Sequence, residues 1–435
     1  MYYYIQTHGC QMNENDSENL AGQLCELGYQ KTDNPELADC IIINTCCVRE
    51  SAEKKIHGKI GELKRLKKNR PDLINIITGC MAQKNADDLL SKYGHIDIVL
   101  GPQNLEYLND AIVAARNGER INHTSMEVRR FTQNHEPVRF DKTAAYVPIM
   151  HGCNNFCSYC IVPHVRGREN SRNSAEIMAE ITKIIATGYK EIVLLGQNVN
   201  SYGKDAANEI SFAQLLEAIA AIPGIERLRY MTSHPRDMSV EVINVIANSP
   251  AITKHFHLPV QAGNDEILQL MNRGYTAADY LDLINTIRVA IPNATITTDI
   301  IVGFPGETDD MFNDTLELMR AAEFDLAYTF IYSKRSGTPA ALMQNQISLP
   351  EKKRRLQQLM KVQNEISLKK NCELVGNNEL VSVEGPSRKD VNVWTGRTAG
   401  NKIVLWTYQG KEIVGSTILV KIIAAQTWLL RGELI

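Results

Sequence analysis

Between Ala144 and Tyr332, six short apolar runs alternate with amphipathic stretches, and that rhythm narrows the possible architecture more than any other feature of the chain. The runs are AAYVPIM, EIVLLG, RLRYMT, HFHLPV, TITTDIIVG and LAYTFIY. They are separated by SAEIMAEITKIIATG, SFAQLLEAIAAI, VEVINVIA, AADYLDLINTIRVA and DMFNDTLELMRAAE. Strands joined by helical crossovers lie parallel in one sheet. Six strand–helix units in about 190 residues predict a partial (β/α)6 barrel of the TIM type, open on one side because a closed one takes eight. Chemistry in such barrels sits on the loops after the strands. Here those loops are HGCNNFCSYC, GQNVNSYG, SHPRDM, QAGNDE, FPGETD and SKRSGT, all polar and several with glycine.

The N-terminal stretch repeats the rhythm on a smaller scale. YYYIQT, CIIINT and INIIT each run up to a cysteine, Cys10, Cys46 and Cys80, with SENLAGQLCELGY and KKIHGKIGELKRLKK between them. This predicts a Rossmann-like parallel sheet. Its strands end along one edge, where ligands bind. Spacings of 36 and 34 residues, about one βαβ unit each, therefore bring three thiols to that edge, while Cys47 is expected to point elsewhere. Residues 116–143 are polar and weakly periodic, a linker or clasp. After a basic helix (EKKRRLQQLMKVQNEISLKK), five short alternating strands split by Gly, Pro and Asn predict a small OB-like β-barrel. Such a barrel either binds oligonucleotides or only caps the domain before it. The expected boundaries are 1–117 for the N-terminal domain, 118–138 for the linker, 139–370 for the barrel core and 371–435 for the tail.

A chain of 435 residues with 44% hydrophobic and 22% charged residues suits two or three soluble domains. No apolar run of about 18 residues is present, and MYYYIQTHGC is not a signal peptide, so a cytoplasmic protein without a membrane span is expected. In that setting ten cysteines point to metal binding or catalysis rather than disulfides. The net charge of −3 hides two basic blocks. Residues 49–70 carry nine Lys or Arg against three Glu, and residues 351–370 carry seven against two. Each block is either a solvated helix face or a contact for a polyanion.

Cys153, Cys157 and Cys160 form a C-x3-C-x2-C motif at the mouth of the first barrel strand. Three chemistries compete for it. A structural zinc needs four ligands, the fourth being His151 or His164. A C-x-x-C redox pair leaves Cys153 superfluous. An iron–sulfur cluster suits soft thiolates, and three thiolates on four irons leave one iron open for a substrate or cofactor.

CNNFCSYC in this position resembles the signature of the radical S-adenosylmethionine superfamily. The resemblance extends over nearly the whole chain: GCQMNENDSE, the cysteines at 46 and 80, CIVPHVRGRENSR, HLPVQAGND, MNRGYT and DIIVGFPGET are similar to the methylthiotransferases. GCQMN followed by DSE, with VRGRE after the third barrel cysteine, resembles the branch that modifies isopentenyl-adenosine beside the tRNA anticodon, and implies that substrate. The branch acting on threonylcarbamoyl-adenosine is the alternative, and a non-catalytic, metal-stabilised RNA-binding protein is the competing class. His8, His164 and Pro102 depart from the usual pattern without touching a cysteine.

The resemblance implies two 4Fe-4S clusters, one on Cys153, Cys157 and Cys160 and an auxiliary one on Cys10, Cys46 and Cys80. It implies S-adenosylmethionine both as methyl donor and as source of a 5′-deoxyadenosyl radical, and transfer of a methylthio group to carbon 2 of the adenine. The tail resembles the RNA-binding TRAM domain. The expected partners are the tRNA anticodon stem-loop, an electron donor of the flavodoxin or ferredoxin kind, and a sulfur or cluster-repair carrier; a monomer is expected. Gly196, Gln197, Asn198, Gln261 and Arg335 are the candidates for holding the cofactor, with Gly263 and Ser336 on neighbouring loops. Arg166, Arg168 and Arg172 either grip phosphates, position the cofactor, or pair with Glu169 or Glu176. Cys25, Cys40, Cys47 and Cys372 read as buried structural residues. Asp39, Asp97, Asp299 and Asp325 form no hydrolase-like carboxylate pair.

Overall fold

The structure, a computed structural model, describes residues 1–46, 50–126 and 135–435, without the side chains of 50–55. Of the four cysteines expected to be buried, Cys40 is buried, Cys25 at the end of the helix Gln11–Glu26 and Cys372 at the end of the helix Leu349–Cys372 are exposed, and Cys47 lies outside the described residues. The chain divides into two compact units: Met1–Phe140 with Pro148–Asn154 and Ile161–Arg172, and Asp141–Val147 with Asn155–Cys160 and Asn173–Ile435.

The first unit is built on a six-stranded sheet of β1 (Tyr2–Thr7), β2 (Gln30–Lys31), β3 (Cys40–Thr45), β4 (Ile74–Gly79), β5 (Ile98–Leu100) and β6 (Ile121–His123), in the order β2-β1-β3-β4-β5-β6 and parallel throughout. Helices α1 (Gln11–Glu26), α2 (Glu50–Asn69), α3 (Cys80–Lys92) and α4 (Leu108–Arg116) cross between strands. Alternate residues of a strand face opposite sides. Ile41, Ile43, Ile77 and Val99 accordingly join one apolar cluster, and Ile42, Ile76, Ile98 and Leu100 join the other. Because both faces are covered, β3 and β4 are buried along their whole length and read as unbroken apolar runs.

The described part of the stretch expected to be a linker does two jobs. Ile121–His123 is the edge strand β6. Glu136–Phe140 clasps α1: Val138 N–H donates to the Glu18 carbonyl, Arg139 pairs with the buried Glu18 carboxylate at 3.0 Å, and Gly22 leaves no room for a Cβ beneath the Glu136 carbonyl.

The second unit opens with β7 (Ala144–Pro148). The chain then contributes the short antiparallel pair β8 (Met150–His151) and β9 (Asn170–Ser171), flanking helix α5 (Val162–Arg166), to the first unit. The second unit continues with β10 (Glu191–Leu195), β11 (Arg227–Tyr230), β12 (His255–His257), β13 (Thr295–Val302) and β14 (Leu326–Ile331). They form two three-stranded sheets, β11-β10-β7 and β12-β13-β14, joined by the parallel bridge Leu228↔Ile252. All six predicted strands are present, in chain order, as an open (β/α)6 array. The crossover helices restart after each loop because Asn173, Ser211, Ser239, Thr276 and Thr308 cap them through their side chains.

The tail is a closed barrel of β15 (Asn378–Pro386), β16 (Val393–Thr398), β17 (Ile403–Thr407), β18 (Thr417–Ala425) and β19 (Leu430–Leu434), ordered β15-β16-β17-β19-β18 around Trp394, Trp406, Val404 and Val420. It docks on the N-terminal ends of the larger array's strands. Arg227 donates to the carbonyls of Arg397 and Thr398, Arg229 bridges Glu191 (3.0 Å) and Asn401 (2.8 Å), and Ser382 donates to Glu191 (3.1 Å). The loops expected to carry chemistry leave from the opposite, C-terminal ends of these strands.

Candidate functional site

Three cysteines stand at the C-terminal edge of adjacent strands in the first unit. Cys10 caps α1 two residues after His8, whose N–H donates to the Asn44 carbonyl at 2.8 Å. Cys46 follows Thr45 of β3, Cys80 follows Gly79 of β4, and Thr45 and Gly79 are paired in register. Gly79 has φ 91°, and a Cβ there would meet the Thr45 carbonyl and the Asn44 side chain; only glycine lets the backbone turn from β4 into α3 at this point. Cys10 and Cys80 both lie at helix N-termini, where unsatisfied N–H groups favour negative charge on sulfur.

The motif GCQMNENDSE acts as a buried polar net beneath these thiols. Asn13 accepts from Cys10 Sγ (3.4 Å) and donates to Asn44 Oδ1 (2.8 Å). Asn44 donates back to the Asn13 carbonyl (2.8 Å) and to Ser17 Oγ (3.0 Å), and Thr7 also donates to Ser17 (2.8 Å). Asp16 accepts from Arg166 Nη2 at 2.7 Å, and Arg166 Nε donates to Cys80 Sγ at 3.4 Å. Burial raises the Asp16 carboxyl above the ordinary range and Arg166 opposes that rise. Arg166 is therefore paired with a carboxylate of α1, not with Glu169 or Glu176. Arg172 is buried and donates to the Pro148 carbonyl (2.9 Å), whereas Arg168 is exposed.

The stretch carrying Cys153, Cys157 and Cys160 is divided between the two units, and each part is held within its own. In the first unit the Cys153 N–H donates to the Gly167 carbonyl (3.1 Å). In the second, the segment Leu270–Arg273 clamps the remainder. Ser158 Oγ donates to the Leu270 carbonyl (2.7 Å), Ser158 N–H to the Met271 carbonyl (3.0 Å), and Asn272 Nδ2 to the carbonyls of Asn155 (3.0 Å) and Phe156 (3.1 Å). Arg273, 4% exposed, donates from Nη1 to Cys157 Sγ at 3.3 Å. Nothing in the spacing of MNRGYT assigned this contact; an isolated Asn-Arg-Gly after a short helix was the available clue.

Among the described residues, no three His, Cys, Asp or Glu side chains are gathered tightly enough to hold a single metal ion. A structural zinc needs four such ligands together, and no such set is gathered among the described residues. A four-iron cluster places each thiolate on a different iron, so its ligands stand further apart than those of one ion, and three thiols spread over loop or strand ends suit it.

The strand ends of the second unit also present polar atoms that lack partners among the described residues. Ser233 Oγ and His234 Nε2 after β11, Gln261 Oε1 after β12 and Tyr332 Oη after β14 are buried without a hydrogen bond. Burial pushes His234 down to about 2, and its Nδ1 accepts from the Arg236 N–H, so the ring is neutral. Gln261 is held at φ 74° by backbone bonds to Asp299 and Ile301. A buried polar atom left unsatisfied is costly unless a ligand completes it, and this lining fits a polar cofactor such as S-adenosylmethionine.

The other expected cofactor residues divide. Gly196 and Gln197 follow β10 at the same strand ends. Asn198 is committed within the protein: it donates to Asp237 (2.8 Å) and accepts from the His234 N–H (3.1 Å), clipping two strand-end loops together. Gly263 packs against the backbone of Thr315, which accepts its N–H. Arg335 is half-buried and its carbonyl accepts from Thr338; Ser336 beside it is exposed.

Among the described residues, part of each basic block is engaged within the protein. Lys352 donates to the Tyr332 carbonyl, Arg355 pairs with Glu307, Glu351 and Asp309, Arg354 with Glu351 and Asp309, and Lys369 with Glu323. In the other block Lys67 pairs with Asp97, Arg70 with Asp39, Arg65 with Glu36 and Lys59 with Glu62, leaving Lys64 and Lys68 exposed and without an ion pair among the described residues.

Comparison with known proteins places these sites in context. Residues 147–319 match the model of the Radical SAM superfamily, and residues 2–101 match the Uncharacterized protein family UPF0004. The chain is 46% identical to a tRNA-2-methylthio-N(6)-dimethylallyladenosine synthase of Acetivibrio thermocellus, over 100% of this chain and 91% of that one. Synthases of the same name from Natranaerobius thermophilus (99% of this chain, 96% of that one) and Carboxydothermus hydrogenoformans (100% and 99%) are each 47% identical to it. Among solved structures, the radical S-adenosylmethionine methyltransferase TsrM of Kitasatospora setae superposes with a TM-score of 0.57 at 15% identity, over 78% of this chain and 74% of that one. The cobalamin-dependent radical enzyme OxsB gives 0.53 at 12% identity, over 82% and 56%. At such identities the likeness establishes the fold alone. No helix among the described residues is long and apolar enough to cross a membrane.

Proposed function

Because the chain belongs to the family of tRNA-2-methylthio-N(6)-dimethylallyladenosine synthases within the radical SAM superfamily, we propose that it methylthiolates carbon 2 of isopentenyl-adenosine next to the tRNA anticodon. The observation that carries this reading is the pair of three-cysteine sets, each at the C-terminal ends of parallel strands and each with a buried arginine on one sulfur. Residues 1–117 supply Cys10, Cys46 and Cys80 for an auxiliary 4Fe-4S cluster. Residues 139–370 supply Cys153, Cys157 and Cys160 for a second, with one iron left open, and residues 371–435 supply an RNA-binding barrel. When bound, the clusters and S-adenosylmethionine provide the electron, the radical, the methyl group and the sulfur that the reaction consumes.

The chain's own residues hold and shield. Leu270–Arg273 holds the loop of Asn155–Cys160 through Ser158, the carbonyls of Asn155 and Phe156, and Cys157. Gln261, His234 and Ser233 offer buried hydrogen-bonding atoms to the cofactor, and neutral His234 adds no positive charge to that lining. The net of Asn13, Asn44 and Ser17 keeps the ends of β1 and β3 from spreading beneath Cys10 and Cys46. The target base is reached outside the RNA stack, as base chemistry requires. An electron donor of the flavodoxin or ferredoxin kind and a sulfur carrier complete the cycle.

Mass spectrometry of tRNA nucleosides from cells with and without this protein tests the reading. Loss of the 2-methylthio group from isopentenyl-adenosine alone is expected; loss from threonylcarbamoyl-adenosine instead would overturn the choice of branch. Anaerobically purified protein is expected to hold about eight irons per chain, and zinc in their place would overturn the enzyme itself.

The exposed lysines Lys64 and Lys68 carry a separate expectation. Lys64→Ala with Lys68→Ala should flatten the salt dependence of tRNA binding by about one unit of slope for each phosphate that is no longer neutralised. Arg354→Ala, whose charge is already spent on Glu351 and Asp309, should leave the slope unchanged. Binding titrations across a range of salt concentrations read both.

A further inference from the structure

Each cysteine set has a buried guanidinium on one of its sulfurs, and the two guanidinium groups are neutralised differently. Arg166, 4% exposed, spends Nη2 on Asp16 at 2.7 Å and turns Nε to Cys80 Sγ at 3.4 Å. Its charge is cancelled by a carboxylate that is itself buried. Arg273 is equally buried, yet none of its partners among the described residues is a carboxylate. Nη1 donates to Cys157 Sγ (3.3 Å) and Tyr159 Oη (3.4 Å), Nε to Tyr275 Oη (2.9 Å), and Nη2 to the Pro259 carbonyl (2.6 Å). Asp237, near His234, is taken by Lys204 at 2.8 Å.

A buried cation without a counter-ion is among the costliest things a fold can hold. Tyrosine hydroxyls and a carbonyl solvate it but do not cancel its charge. The group available to do so is the sulfur of Cys157 with whatever negative charge it shares. A cluster held by three thiolates becomes more negative by one unit on accepting an electron. A fixed positive charge at van der Waals distance in a poorly screened site favours that reduced state, and an ion pair of zero net charge favours it far less.

We propose that Arg273 and the Arg166–Asp16 pair are positioning residues that make the Cys153/Cys157/Cys160 site the easier of the two to reduce. The step is a one-electron reduction: the cluster at Cys157 gains the electron, an external low-potential one-electron donor loses it, and no proton or bond is exchanged. Asp16 withholds the equivalent stabilisation from the Cys10/Cys46/Cys80 site, so the electron goes where S-adenosylmethionine binds. This inference rests on the reading of two cluster sites given above.

The test uses full-length chains that retain one set at a time. With Cys10, Cys46 and Cys80 replaced by alanine, about four irons should remain, and dithionite titration followed by electron paramagnetic resonance gives the midpoint of the other site. In that background Arg273→Gln is expected to move the midpoint to more negative potential, and Arg273→Lys to move it less, since lysine keeps the charge without the fork. With Cys153, Cys157 and Cys160 replaced instead, Asp16→Asn is expected to move the remaining midpoint to less negative potential. An unchanged midpoint in Arg273→Gln with its iron in place overturns the inference. If that variant binds no iron, Asp16→Asn decides, and an unchanged midpoint there overturns it. Parent backgrounds that bind no iron would overturn the cluster reading itself, and the iron count shows which of the two has failed.

Discussion

Cys157→Ala is expected to abolish release of 5′-deoxyadenosine, whereas Cys46→Ala is expected to preserve it and lose methylthiolation completely. Each variant should lose roughly half of about eight irons, because a cubane held by two thiolates is poorly retained. The division follows from placement. Cys157 sits on the loop after the first barrel strand, clamped by Leu270–Arg273, in the same unit as the unsatisfied atoms of Gln261, His234 and Ser233 that suit S-adenosylmethionine. Cys46 ends a strand of the other sheet, beside Cys80 across the paired ends of β3 and β4, among residues that make no part of that lining. The two losses therefore separate chemically. Chromatography of the cofactor products reads one and nucleoside mass spectrometry reads the other. If both variants cleaved the cofactor normally, the assigned roles of the two sites would be wrong.

Arg355→Ala is expected to be the most damaging single change outside the cysteine sites, lowering stability by about 3–5 kcal/mol. Arg355 and Glu307 are both almost fully buried, and their 2.7 Å contact ties the helix Leu349–Cys372 to the turn that follows β13. Glu307 also accepts the Gly303 N–H at 2.6 Å, at a glycine held at φ 70° beneath the stem of Lys352. Removing the arginine leaves a buried carboxylate without its ion-pair partner. Burial already raises the Glu307 carboxyl above its usual value, with Arg355 opposing the rise. In the variant the folded state holds its proton more tightly than the unfolded state does. Its deficit should then grow as pH rises from the unfolded carboxylate range towards neutrality, and shrink in mild acid. Urea unfolding at mildly acidic and neutral pH reads both the size and the sign. A deficit that was the same at both would mean that Glu307 is not the group left stranded.

The same helix illustrates where sequence reasoning stopped. Seven Lys and Arg in twenty residues suggested either a solvated face or a polyanion contact. The buried stripe runs through Lys352, Arg355, Leu359, Gln363 and Ile366, so two of the charges occupy core-facing positions. A charge count is blind to this, because helical spacing places charged residues on the inner face as readily as on the outer. Their partners, Glu307 and the Tyr332 carbonyl, come from loops distant in the chain. The missed strands have a simpler cause. β2, β5 and β6 are two or three residues long, and INH at the last of them carries no apolar alternation to detect.

The periodic elements were legible because their signal is local. An apolar run of five or six residues, followed by a capped amphipathic stretch, specifies a strand and a crossover wherever it occurs. The arrival of Cys10, Cys46 and Cys80 at one sheet edge follows from that rhythm, and so does the place of Cys153, Cys157 and Cys160 at the mouth of an open barrel. What only the tertiary structure decided are contacts between residues far apart in the chain. Arg166 reaches Asp16 and Cys80, Arg273 reaches Cys157 without a carboxylate, and the small barrel covers the strand ends opposite the chemistry. Spacing along the chain carries the period of a helix or a strand, but the charge balance around a buried sulfur is set by whichever side chains the packing of separate elements brings against it.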